Sequence, residues 1–126
     1  MNKYYFSLSI HFKKDIDLNK LQNDLKIKAT KLTYLKDSKG PIKSAKFYCK
    51  TNSFDNIYTD NEFEKFVDGM VDNLTVLPNI LKEYDGECCL CIVFEEITEK
   101  PCLSLSEKTI ENLFKIGASY DVDFIC

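Results

Sequence analysis

The sequence predicts an α+β domain, a ferredoxin-like two-layer sandwich in which a mostly antiparallel sheet carries helices packed on one face. Three observations predict it. Near the start, middle and end of the chain, apolar and polar residues alternate one for one, the period of a strand with one buried face. Between those segments the apolar spacing widens to three and four residues, the period of an amphipathic helix. The two periods interleave as β-α-β-α-β-(β)-α-β, an order that suits helices gathered on one side of a sheet. Strand order does not follow from the pattern.

In the opening YYFSLSIHF, Phe6, Leu8, Ile10 and Phe12 alternate with Ser7, Ser9 and His11, predicting a first strand over 3–12. Asp17 can accept hydrogen bonds from a first helical turn, and Leu18, Leu21 and Leu25 then share one face of a helix reaching about Lys28. Residues 29–42 end in Gly40 and Pro41 and read as loop and turn. Ala45, Phe47 and Cys49 alternate with Ser44, Lys46, Tyr48 and Lys50 in a second strand. Thr59 and Glu62 have capping-box spacing ahead of apolar positions 63, 66, 67, 70, 71, 74 and 77. A long helix should follow, kinked or restarted at Pro78 and ended by Gly86 in the left-handed conformation. GECCLCIVFEE is the next strand, and PCLSLS is a candidate short edge strand. Ser106 caps a last helix that buries Ile110, Leu113 and Phe114, with Gly117 past its end. SYDVDFIC alternates into a closing strand.

With 126 residues, 44% of them apolar, nine Phe and seven Tyr, the chain reads as one domain over 1–126 with its own core. No repeat or Gly/Ser-rich linker divides it. The opening MNKYYFSLSIHF lacks a small-residue cleavage site, and no apolar run reaches the roughly eighteen residues of a membrane span. A soluble cytoplasmic protein is expected, in which the six cysteines stay reduced.

All 17 basic residues are Lys, which removes the bidentate guanine contact and the arginine finger. Charge is sorted along the chain. Residues 1–50 carry twelve Lys against four Asp, and 51–126 carry five Lys against sixteen acids, giving +8 and −11 within a net −3. The two halves either neutralise each other on folding or offer charged faces to partners.

Three of the six cysteines crowd into GECCLCIVF. On a strand Cys88 and Cys89 point to opposite faces, so they cannot ligate one metal together. Cys89 and Cys91 share a face, but zinc needs two more ligands, and the chain has no CxxC and one His. Cys49 and Cys126 could complete such a site from neighbouring strands, though no spacing requires it. The expectation is an inert strand buried on both faces, with Cys acting as a small hydrophobe. Asp85, Glu87, Glu95 and Glu96 flank it and disfavour a thiolate. No metal or cofactor is implied.

Three surfaces are candidates for function. Glu64, Asp68 and Asp72 recur every four residues opposite the apolar face of the second helix, a like-charge spacing that costs about 0.2–0.5 kcal/mol per pair. With Glu95 and Glu96 they form an acidic surface for a basic protein. His11, Asp121 and Asp123 form an alternative polar site, since paired carboxylates with the sole imidazole can share a proton or a cation. It would make the chain a metal-dependent or carboxylate-based enzyme. Between 26 and 50, eight Lys interleaved with Tyr34, Phe47 and Tyr48 suggest a Lys-rich nucleic-acid-binding module, against which the net acidity and missing Arg weigh.

The order of segments resembles the bacterial family labelled domain of unknown function 4279. The likeness runs through DLNKLQNDLKI, the turn ending in Gly40, AKFYCKT, NEFEKFVDGMVDNL, CLCIVF and PCLSLSEKTIENLFKIGASYDVDFIC. Where members often carry Trp in the second strand, this chain has Phe47 and Tyr48. The resemblance implies no catalytic residues, and some relatives are similar to immunity proteins that silence a cognate toxin. The function expected is therefore a small non-catalytic protein-binding domain, immunity-like, that holds a basic partner such as a toxin through its acidic surface.

Overall fold

The computed structural model describes residues 2–36 and 42–125. The expected turn at Gly40 and Pro41, and Cys126, lie outside that range. The alternation at the start becomes strand β1, Asn2–Phe12, with Tyr4, Phe6, Leu8, Ile10 and Phe12 buried. Asp17 caps helix α1, Leu18–Leu25, by accepting from the amides of Asn19 at 3.0 Å and Lys20 at 3.1 Å. The helix stops short of the expected end because Lys26 turns left-handed, at φ 55°.

Residues expected as loop contain strand β2, Lys31–Lys36. Leu32 and Tyr34 do alternate with Lys31 and Thr33, but Leu35, 61% exposed, breaks the pattern in a way an edge strand tolerates. The Tyr34 hydroxyl accepts from the Leu18 amide at 2.9 Å, which satisfies a free donor of the first turn of α1. Strand β3, Ile42–Lys50, pairs with both β1 and β2, and a short β4, Phe54–Asn56, extends the β3 side of β1. Between them Thr51 holds Phe6 by two bonds, donating from its amide to the Phe6 carbonyl and accepting at Oγ1 from the Phe6 amide.

The predicted long helix is two helices, α2, Asp60–Val71, and α3, Leu77–Glu83. Pro78 lies in the first turn of α3, where its missing N–H leaves no bond unmade. The capping box does not form. Thr59 is extended but its hydroxyl makes no cap bond, and the turn closes through the Glu62 amide and Thr59 carbonyl at 3.1 Å. Asp60 instead accepts from the amide and hydroxyl of Ser104, at 3.2 and 2.7 Å. PCLSLS, tied down in this way, adopts no strand.

At the start of β5, Gly86–Glu96, the left-handed residue is Asp85, at φ 51°, and not Gly86. Gly86 is required for another reason: a Cβ there would lie 2.6 Å from Cδ1 of Phe12 and 3.0 Å from Cδ2 of Leu81. Ser106 caps α4, Glu107–Lys115, by accepting from the Thr109 amide, and Gly117 follows at φ 69°. The buried stripe of α4 is Thr109, Asn112 and Leu113, followed by Ile116. Ile110 and Phe114, expected inside, are 54% and 87% exposed. The count of apolar spacing missed this because a polar pair holds the contact with α2: Asn112 donates from Nδ2 to Asp68 at 2.8 Å.

Strand β6, Ala118–Phe124, completes a six-stranded mixed sheet in the order β2-β3-β1-β5-β6. Only β5 and β6 pair in parallel, joined by α4; β1 and β2 also run parallel, with β3 between them. All four helices cover one face of the sheet. Their apolar stripes meet Tyr4, Phe6, Leu8, Leu90, Ile92 and Phe94 in one core, with Phe6 and Phe63 rings 5.4 Å apart and Tyr58 edge-on to Phe94 at 5.4 Å. The chain is thus α+β, with a mixed sheet of six strands and four helices.

Candidate functional site

The pleat sends the other half of each strand's side chains to the face without helices. Registers place them in rows. One row runs Lys31, Tyr48, Ser9, Cys89, Ser119 from β2 to β6. A second runs Thr33, Lys46, His11, Glu87, and a third Lys50, Ser7, Cys91, Asp121. Tyr5, Val93 and Asp123 make a fourth. The result is a charge-sorted surface. Lysines stand on β2 and β3 and carboxylates on β5 and β6, while the centre holds Tyr5, Ser7 and Ser9 with Lys3 at the end of β1.

The centre is close-packed without help from a helix. Ser7 is 3% and Val93 6% exposed. The Lys50 ammonium lies 5.0 Å from the centroid of the Tyr5 ring and that of Lys46 5.7 Å from Tyr48, so both lysines shield aromatic faces while keeping their charge near water. Burial pushes the Tyr48 hydroxyl up to about 12, with a hydrogen bond to Tyr5 adding to the rise. Beside Tyr48, a shallow hollow lined by Lys31, Thr33, Lys46 and Tyr48 opens on the basic side.

The cysteine strand is not buried on both faces. Cys88 points into the helix-covered core at 3% exposure, whereas Cys89 and Cys91 are half-buried on the open face. Burial first, and then the carboxylate of neighbouring Asp121, pushes the Cys91 thiol up to about 12, away from thiolate chemistry. Cys49, opposite Leu8, lies on the core side, so it cannot join Cys89 and Cys91 in one site. Among the described residues no group of three or more His, Cys, Asp or Glu side chains converges as metal ligands would.

The alternative polar site does not come together. His11 pairs with Glu87, whereas Asp121 pairs with Cys91, which pairs with Ser7. Four residues along the strand and two strand spacings across separate them, roughly 16 Å. On the outer edge of the sheet, Asp121 accepts from the amide of Val122 at 2.9 Å and so occupies a donor of β6.

The five acids of the predicted acidic surface are likewise divided. Asp68 is engaged by α4, with the Lys108 ammonium at 3.8 Å as well as Asn112. Glu64 is half-buried, and exposed Asp72 lies two helical turns on, roughly 12 Å away. Glu95 sits in the irregularity between β1 and β5 and accepts from the Ser53 hydroxyl at 2.6 Å. Glu96 pairs with Lys3 in the ladder. Sequence reasoning missed the row structure that gathers Lys31, Lys46 and Lys50 opposite Asp121 and Asp123. Alternation in each strand was the available signal, but it says nothing about which strands are neighbours.

Together these features define an α+β domain with one helix-covered face and one open, charge-sorted face. The chain belongs to the family described as Domain of unknown function (DUF4279), whose model matches residues 2–126. No curated protein and no solved structure matches it. Among the described residues, no helix is long and apolar enough to cross a membrane.

Proposed function

We propose that this is a non-catalytic protein-binding domain, immunity-like in that its work is to hold a partner, and that its binding surface is the open sheet face. The observation that carries the reading is the separation of lysines from carboxylates across a face no helix covers. Glu87, Asp121 and Asp123 are the acids suited to a basic partner there. They take over the role first given to Glu64, Asp68, Asp72, Glu95 and Glu96, of which Asp68 and Glu95 are engaged within the chain. Electrostatic sorting of this kind fixes orientation and speeds encounter more than it adds affinity. The cytoplasm suits the five free thiols among the described residues, which persist in a reducing compartment. The split β1–α1–β2 unit, with β3 inserted, supports the ferredoxin-like reading of the sheet.

Amine-reactive cross-linking in native cell extract tests the surface. Cross-links to another chain from Lys31, Lys46 and Lys50 are expected. Intermolecular links confined to Lys65, Lys82 and Lys108, which lie on helices, would place the partner on the other layer and end the proposal.

A further inference from the structure

The charge pattern of the open face is complementary to itself. Take a twofold axis lying along β1 and just above the face. It exchanges the β3 side of one copy with the β5 side of the other, and the β2 side with the β6 side, while β1 meets β1. In the registered rows, Lys46 and Glu87 stand one strand to either side of His11, so each Lys46 falls over the other copy's Glu87. Lys50 falls over Cys91 beside Asp121, and Lys31 over Ser119, also beside Asp121. Away from the axis no lysine meets a lysine; on it, Lys3 at the end of β1 meets its own copy, each with Glu96 as its partner in the ladder. Closest to the axis lie Tyr5, Ser7 and Ser9, small or aromatic groups that form its uncharged middle, with Lys3 and His11 at the two ends.

We propose that the occupant of the open face is a second copy of this chain, stacked sheet on sheet about that twofold axis. The inference rests on the reading of the face as a protein-binding surface, and it makes the basic groups that the acids receive the chain's own lysines. An isologous pair of this kind is closed, so it stops at two copies. Sheets packed face to face sit roughly 10 Å apart with strands within about 30° of alignment, which keeps the rows in approximate register. Five strands by about six residues give a footprint of roughly 20 by 25 Å. That is below the ~800 Å² per partner of a standard interface, so the dimer is weak and concentration-dependent.

Sedimentation velocity of the full chain, from roughly 10 to 500 µM at low salt, tests it in the regime of weak interfaces. The wild type is expected to move from the monomer mass towards twice that mass, and to dissociate as salt rises to about 0.5 M. K46E and E87K should each weaken the dimer about 10-fold or more, since like charges then face each other at both contacts between positions 46 and 87. An equimolar mixture of the two should restore it, because position 46 of each copy then again faces an opposite charge at position 87 of the other. Circular dichroism confirms that both variants are folded. A wild type that stays monomeric throughout, or variants that dimerise like the wild type, overturns the proposal. In the monomeric case, extract cross-links from Lys31, Lys46 and Lys50 to a different protein leave the protein-binding reading standing, whereas their absence removes both.

Discussion

The two faces of this sheet are built from the same strands and do opposite work. On the covered face, aromatic rings of β1 and β5 interlock with those from the helix layer: Phe6 lies within 5.6 Å, centroid to centroid, of Tyr4, Phe54, Phe63 and Phe66. On the open face the same strands carry serines, thiols and charges, and two lysines lie over Tyr5 and Tyr48. Stability therefore concentrates on one side, leaving the other free to vary with a partner. Cys88 and Cys89 show the contrast at its narrowest, since adjacent thiols fall into a dry core and onto a half-exposed surface.

Substitutions on the two faces can break this contrast. Phe6→Ala should cost about 3–5 kcal/mol in urea unfolding, because it empties the centre of the ring cluster. A loss below about 1 kcal/mol would mean the cluster is not the core. Gly86→Ala should cost about 1–3 kcal/mol, as its methyl group displaces the Phe12 ring from 2.6 Å; an unchanged midpoint would show that Phe12 moves freely. Cys88→Ser places a hydroxyl in the core and should cost about 1–3 kcal/mol. Cys89→Ser should stay within about 0.5 kcal/mol, and equal effects at the two positions would erase the distinction between the faces. Asp17→Ala removes two hydrogen bonds from the start of α1 and should cost about 1 kcal/mol, read from the same unfolding curves.

A further effect is on pH dependence. Burial, with a lesser effect of Cys89, pushes the Cys88 thiol from its ordinary 9.0 up to about 12. A group raised in the folded state contributes stability that is complete below pH 9 and is lost as pH climbs towards about 12. Urea midpoints measured from neutral to alkaline pH should therefore fall less steeply above pH 9 for Cys88→Ala than for the wild type. Parallel curves would show that this thiol does not titrate with unfolding.

Much of the fold was legible as period. Alternation found β1, β3, β5 and β6, and the caps at Asp17 and Ser106 lie where side-chain chemistry puts them. Errors arose wherever a tertiary contact outweighed local pattern. β2 was hidden by one exposed leucine that an edge position forgives, and the phase of α4 was set by the Asn112–Asp68 bond. The Thr59 cap gave way to backbone closure, with Asp60 turned to Ser104.

The candidate surface was less legible than the fold. Each of its residues could be assigned to a strand, and the pairing of Cys89 with Cys91 on one face follows from the pleat alone. Their neighbours across the sheet could not be assigned.

By itself the sequence determined which residues of each strand share a face, because side chains alternate along any extended backbone whatever lies beside it. Only the tertiary structure decided that β3 lies between β1 and β2 and that β6 sits beside β5. Those choices depend on hydrogen bonds and packing between segments far apart in the chain. They turn a lengthwise imbalance of charge into lysines on one half of an open face and carboxylates on the other.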